Sequence, residues 1–175
     1  MDGVTGGYEQ VHSVDSETSA QMLQSFKDKI SGWDDALDLG AGIGRVTKAT
    51  LLPHFRNVDL VEPAGTLIDK AKENVPEVRK FYQVGLQDFV FEHQYDCIWL
   101  QWVAMYLTDA DLLSFLQRAG SGLKTTAKGT GLLFVKENVH EERIVVDRED
   151  NSLMRTEKHF EHLFSEAGFL VLSKF

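Results

Sequence analysis

Along this chain, short blocks of consecutive apolar residues alternate with stretches in which apolar residues recur every three or four positions. "ALDLG" (36–40) predicts a short buried strand stopped by glycine, and "GRVTKATLLP" (44–53) a helix ended by Pro53. "NVDLVEP" (57–63) reads as the next strand and "AGTLIDKAKEN" (64–74) as its following helix. "KFYQVG" (80–85) and "YDCIWLQW" (95–102) are two more strands. In "LTDADLLSFLQRAGSG", Thr108 and Asp111 have capping-box spacing, and Leu112, Phe115, Leu116 and Ala119 form one apolar stripe. "GTGLLFVKEN" (129–138) predicts a strand. "TEKHFEHLFSEAG" predicts a helix capped by Thr156, with Phe160, Leu163, Phe164 and Ala167 inward and Gly168 past its end. "FLVLSKF" then predicts a closing strand, and residues 16–30 an additional first helix with Leu23, Phe26 and Ile30 on one face.

Strands that alternate with amphipathic helices pair in parallel through right-handed crossovers. The expected fold class is therefore α/β, a doubly wound, Rossmann-like open sheet. It forms one domain over residues 1–175, with 1–30 as an N-terminal cap segment and 31–175 as the core. Ligands of such sheets bind at the carboxyl ends of the strands, beside the point where strand order reverses.

Composition narrows the function. The chain has 27 acidic residues against 18 basic ones, a net charge of −9, which argues against a nucleic-acid partner. Cys97 is the single cysteine and sits in an apolar run, so neither a disulfide nor a cysteine metal site is expected. No apolar run approaches the length of a membrane span and no secretory signal opens the chain, so a cytoplasmic or nuclear location and no membrane partner are expected.

After the first strand comes "DLGAGIGRVT". Gly40, Gly42 and Gly44 permit a tight turn and close approach of backbone to a ligand, with a helix following at once. At the end of the next strand stands Glu62, whose carboxylate can accept ribose hydroxyls. A glycine-rich turn alone fits any tight strand-to-helix connection. With the strand before it, the helix after it and this acid beyond, the arrangement points to a nucleoside-containing cofactor. The spacing is G-x-G-x-G rather than the dinucleotide G-x-G-x-x-G.

"ALDLGAGIGR" and "VDLVEP" resemble motifs I and II of class I S-adenosylmethionine-dependent methyltransferases, and "GLQDF" (85–89) sits where that family contacts adenine. The strand end "LQW" then lies where the family places the reacting methyl. Past the next strand come Asn138 in "VKEN" and the acidic turn "DRED" with Asp147 and Asp150. A flat indole and two carboxylates suit an apolar ring followed by positive charge. Taken singly, Trp102 equally fits core packing, and the two acids a solvated loop.

Together, "GGY", "ALDLGAGIGRVTK", "GLQDF", "IWLQWV", "LTD", "KEN" and "VDREDNS" resemble the protein α-N-terminal methyltransferases, over about residues 3–175. The resemblance implies transfer of a methyl from S-adenosylmethionine to the α-amine of proteins beginning Xaa-Pro-Lys or Xaa-Pro-Arg, with S-adenosylhomocysteine as product. By it, Gly40, Gly42, Arg45, Glu62, Pro63, Leu86, Gln87 and Gln101 bind the cofactor. Gly6 and Trp102 meet the substrate and its proline, Asn138 the peptide backbone, and Asp147 the third-position base. Asp150 is the general base, and Tyr106 stands where the family usually has a histidine. Against the family pattern the chain is expected to lack N-terminal lid helices and the last strand of the sheet, and a monomer is expected. Two other readings are a methyltransferase of small amines or hydroxyls, and a non-catalytic interaction module that retains the cofactor.

Overall fold

The computed structural model describes residues 9–175, with side chains from residue 14 onward. Its elements are α1 (Glu9–Ser25), β1 (Asp35–Leu39), β2 (Asn57–Val61), α2 (Gly65–Asn74), β3 (Lys80–Tyr82), β4 (Cys97–Gln101), α3 (Asp109–Ser121), β5 (Thr125–Thr126), β6 (Gly129–Thr130), β7 (Leu132–Lys136), β8 (Val145–Asp147), β9 (Ser152–Met154) and α4 (Glu157–Glu166). A π-helical turn at Thr47–Leu51 follows β1, and a 3-10 turn at Ala104–Tyr106 follows β4.

Five strands form one parallel sheet in the order β3-β2-β1-β4-β7. The chain runs outward from β1 through β2 to β3, then crosses back to place β4 on the other flank of β1. The order thus reverses between β1 and β4, and the carboxyl ends of these two strands flank the expected binding crevice.

Both faces of the sheet are covered because the strands are apolar at both parities. Leu37, Leu39, Ile98 and Leu100 pack with Leu112, Phe115 and Leu116 of α3 and Phe160 and Leu163 of α4. The alternate residues Ala36, Cys97, Trp99 and Phe134 pack with Leu23, Phe26 and Ile30 from the N-terminal segment. Trp99 stacks on Phe134 at a centroid distance of 5.1 Å. On the flank, Ile68 and Ala71 of α2 bury Leu60 of β2.

The local signals act as expected. Thr108 Oγ1 accepts a hydrogen bond from the Asp111 amide at 3.2 Å and donates to Asp111 Oδ2 at 2.7 Å. Thr156 Oγ1 accepts from the His159 amide at 3.2 Å. Several boundaries differ, and the first helix begins at Glu9 rather than at residue 16. The first helix ends at Ser25, and Phe26 and Ile30 reach the core from turns that follow it. The strand expected over 80–85 stops at Tyr82. The strand expected from residue 129 begins at Leu132, because residues 129–130 fold back on β5 as a hairpin. Residues 169–175 form no strand: Phe169 packs into the α3/α4 cluster, residues 170–175 are exposed, and Lys174 Nζ reaches Glu161 Oε1 of α4 at 2.8 Å.

Candidate active site

The crevice at the switch point is a cavity of about 450 Å³, lined by Gly40, Gly42, Arg45, Glu62, Pro63, Leu86, Gln87, Gln101, Trp102 and Tyr106 among others. That volume falls in the range of small-molecule and cofactor sites. All eight residues expected at a cofactor therefore meet in one place, joined by Trp102 and Tyr106.

Its floor is the loop after β1. Gly40 (φ +64°) and Gly42 (φ +57°) adopt the left-handed region that glycine tolerates and other residues resist. A Cβ on Gly40 would lie 2.2 Å from Val103 Cγ2, whereas one on Gly42 would meet nothing within 4 Å. The first glycine is thus required by packing, and the second leaves open room on the ligand side. Glu62 secures the loop from β2: its Oε2 accepts from the Gly42 amide at 2.9 Å and its Oε1 from the Ala64 amide at 2.8 Å. Each oxygen keeps a further lone pair for a ligand hydroxyl. Behind the loop, Asp38 is buried and accepts from Thr47 Oγ1 at 2.5 Å. Burial pushes its carboxyl up to about 7, against the opposing pull of Thr47 and the Arg45 charge.

The wall opposite is made by the end of β4. Gln101 is buried, and its polar atoms are fully engaged. Its Oε1 accepts from Trp99 Nε1 at 3.0 Å, and its Nε2 donates to Asp15 Oδ1 and Oδ2 at 3.0 and 2.9 Å. Asp15, from α1, also receives Arg45 and Lys136. Burial disfavours the Asp15 anion, but hydrogen bonds from Lys136, Arg45 and Gln101 outweigh it and hold the carboxyl below its usual range. Arg45 in turn lies over the Trp102 ring at 5.1 Å. Asp15 is therefore the hub that joins the cap helix to the glycine-loop arginine and the sheet, and the polar Gln among large apolar residues is the sheet's link to it.

Trp102 is one of two non-glycine residues with positive φ among the described residues, at +55°. An aromatic residue in that region is strained, and such strain persists where surrounding contacts over-determine it. The left-handed kink breaks β4 and directs the chain into the 3-10 turn that carries Tyr106. Burial raises the Tyr106 phenol above its ordinary value, and the charges of Asp150 and Glu137 add to the effect.

The substrate-side residues are placed differently. Asn138 follows β7 and is exposed, and Asp147 and Asp150 lie on the exposed hairpin of β8 and β9, outside the cavity lining. Asp147 Oδ1 accepts from the Glu149 amide at 2.8 Å and Asp150 Oδ1 from the Ser152 amide at 3.0 Å, so each shapes its own turn. The hairpin nevertheless adjoins the site, since β9 packs against the 3-10 turn and Asp150 lies within electrostatic reach of Tyr106. Gly6 lies outside the described residues.

Sequence reasoning missed Asp15, Lys136, Glu137, Arg118 and Arg155. Arg118 donates to the carbonyls of Leu86, Gln87 and Phe89 and so fixes the loop expected to face adenine. Arg155 is fully buried and donates to Asp109 Oδ1 at 2.8 Å and to the carbonyls of Ala104 and Leu107 at 2.8 and 2.6 Å. Lys136 and Glu137 immediately precede Asn138 in "KEN", a polar cluster at a strand end that could have signalled them. Arg155 carries no such signal. Among the described residues no group of His, Cys, Asp or Glu is arranged to hold a metal ion.

Comparison with known proteins agrees with this geometry. The sequence matches the family described as AdoMet-dependent proline di-methyltransferase over residues 1–175. It is 44% identical over 185 residues to alpha N-terminal protein methyltransferase 1 of Dictyostelium discoideum, covering 98% of this chain and 66% of that protein. It is 41% identical to N-terminal Xaa-Pro-Lys N-methyltransferase 1 of Danio rerio, covering 98% of this chain and 79% of that protein. Among solved structures, a SAM-dependent methyltransferase of Leishmania major superposes with a TM-score of 0.89 at 38% identity, covering 98% of this chain and 68% of that one.

Proposed function

This chain belongs to the AdoMet-dependent proline di-methyltransferase family and has the class I SAM-dependent methyltransferase fold, and from that premise we propose that it methylates the α-amine of protein N-termini beginning Xaa-Pro-Lys or Xaa-Pro-Arg. The observation that carries the reading is the single cavity in which the Gly40–Gly42 loop and Glu62 face Gln101, Trp102 and Tyr106.

The residues present fit the cofactor. The open space beside Gly42 and the spare acceptor capacity of Glu62 suit a ribose, Leu86 and Gln87 an adenine, and Arg45 a carboxylate. S-adenosylmethionine supplies an activated methyl group on a sulfonium. The chain's own part is to present a neutral amine in line with that methyl and to keep water out. An α-amine, with a pKa of about 7.7–8.0, loses its proton far more readily than a lysine at about 10.4. Trp102 offers a flat surface for the proline ring. Asp150 holds the cation and takes its proton directly or through water, while Tyr106, with its raised pKa, orients the amine and does not deprotonate it. Asn138 and Asp147 meet the peptide backbone and the third-position cation at the rim.

Mass spectrometry of an Xaa-Pro-Lys hexapeptide incubated with labelled S-adenosylmethionine tests this. Label on the α-nitrogen is the expected result. Absence of label, with transfer to a small amine or hydroxyl acceptor, would move the reading to a small-molecule enzyme; absence of any transfer would leave a cofactor-binding interaction module.

A further inference from the structure

The turn that presents Trp102 and Tyr106 has a partner outside the cavity. Strand pairing ends at Gln101↔Lys136, and the Trp102 amide donates to the Lys136 carbonyl at 3.0 Å. Successive side chains there alternate between faces of the sheet. Lys136 reaches to Asp15 and Ser19 of α1, and Glu137 goes the other way, beneath the kink. Glu137 Oε1 accepts from both the Val103 and the Ala104 amides, each at 2.6 Å. These are the amides that begin the 3-10 turn and have no carbonyl partner within it. From the opposite side, Arg155 Nη1 and Nη2 donate to the carbonyls that bracket the same turn, Ala104 and Leu107. The segment is gripped by an anion at its amides and a cation at its carbonyls.

We propose that Glu137 is a positioning residue for the reaction: by taking both amides in one carboxylate oxygen it holds Trp102 in its left-handed conformation and sets Tyr106 against the cavity. The proposal rests on the methyl-transfer reading above and extends it to a residue that touches neither ligand. Glu137 is absent from the cavity lining, so it acts through the turn. Its second oxygen is buried with no hydrogen-bond partner. Burying a carboxylate with one oxygen lacking a hydrogen-bond partner is costly, and desolvation pushes the carboxyl up to about 7, against the pull of the Val103 and Ala104 amides, the Arg155 charge and the Met105 amide. The side chain is kept there for what Oε1 does. A carboxylate, unlike a backbone carbonyl, can span two consecutive amides without imposing a strand or helix on them, which an αL-to-3-10 junction requires.

Two variants and one spectroscopic reading test it. Glu137→Met keeps length and removes the acceptor; Glu137→Gln keeps the acceptor and removes the charge. Glu137→Met is expected to lower kcat on the Xaa-Pro-Lys peptide about a hundredfold, the scale of an ångström-sized misplacement, with S-adenosylhomocysteine affinity by calorimetry unchanged. Glu137→Gln is expected to restore most of that loss. In the wild type, the Val103 and Ala104 amide protons are expected far downfield and protected from exchange, as charge-assisted hydrogen bonds are. Wild-type-like turnover by a folded Glu137→Met protein would overturn the proposal. So would ordinary, rapidly exchanging amides at residues 103 and 104, a result that stands even where the Met variant fails to fold. A wild type that leaves the peptide unmethylated yet shows both shifted amides would overturn the peptide reading and leave the clamp in place.

Discussion

Replacing Gly40 by alanine perturbs the site at a point where the structure allows the cost to be worked out. Two contributions add. The left-handed backbone (φ +64°) brings any Cβ against the following carbonyl, which costs about 1–2 kcal/mol. The new methyl would also lie 2.2 and 2.9 Å from the two γ-carbons of Val103, far inside contact distance, and overpacking of this kind costs about 1–3 kcal/mol. Val103 cannot swing away freely, because it is β-branched and its amide is held by Glu137. Gly40→Ala should therefore lose roughly 2–5 kcal/mol. Gly42→Ala, at φ +57° with nothing within 4 Å, should lose only the backbone part, about 1–2 kcal/mol, while its methyl enters the space expected for the cofactor. Urea unfolding followed by tryptophan fluorescence gives both values, and calorimetry with S-adenosylhomocysteine gives the affinities. The decisive measurement is the cycle with Val103→Ala, which removes the colliding carbons: a coupling of about 1–3 kcal/mol is expected for Gly40→Ala and none for Gly42→Ala. Equal losses for the two glycines, or strict additivity with Val103→Ala, would refute the packing argument.

Arg155→Met leaves the Ala104 and Leu107 carbonyls without their donors and should cost roughly 2–5 kcal/mol in urea unfolding, whereas a loss under 1 kcal/mol would mean that water replaces the guanidinium. Asp38 has its pKa raised from 3.8 to about 7 by burial, so the folded protein binds its proton more tightly than the unfolded chain. Its contribution to stability is full below the unfolded pKa and is lost as pH rises through 7. Between pH 5.5 and 8 the stability of the wild type relative to Asp38→Asn should fall by about 2 kcal/mol, and a flat difference would place the carboxyl's pKa elsewhere. Asp150→Asn should leave cofactor affinity unchanged and lower kcat at neutral pH, since the exposed hairpin lies outside the cofactor cavity; an equal loss of cofactor binding would contradict its role as base.

Local patterning accounts for whatever depends on neighbours along the chain. Apolar runs gave β1, β2 and β4, threonine caps gave the starts of α3 and α4, and the alternation of elements gave a parallel sheet with its site at the strand ends. The glycine loop and Glu62 were legible because a tight strand-to-helix turn and an acid at the next strand end are local patterns. Tertiary structure decided what depends on residues far apart in the chain. Residues 169–175 have a strand's composition, yet they pair with no strand and 170–175 stay exposed. Residues 129–130 left the expected strand for a hairpin with β5. Gln101 lines the cavity as expected, and the fold adds what the sequence did not indicate: its hydrogen bonds to Trp99 and to Asp15 on the cap helix. Glu137 and Arg155 converge on one turn from β7 and from the end of the acidic hairpin, and no periodicity along the chain encodes that meeting. A charge or amide buried in the fold takes its partner from whatever the packing brings near, and that partner is known only once the sheet has closed.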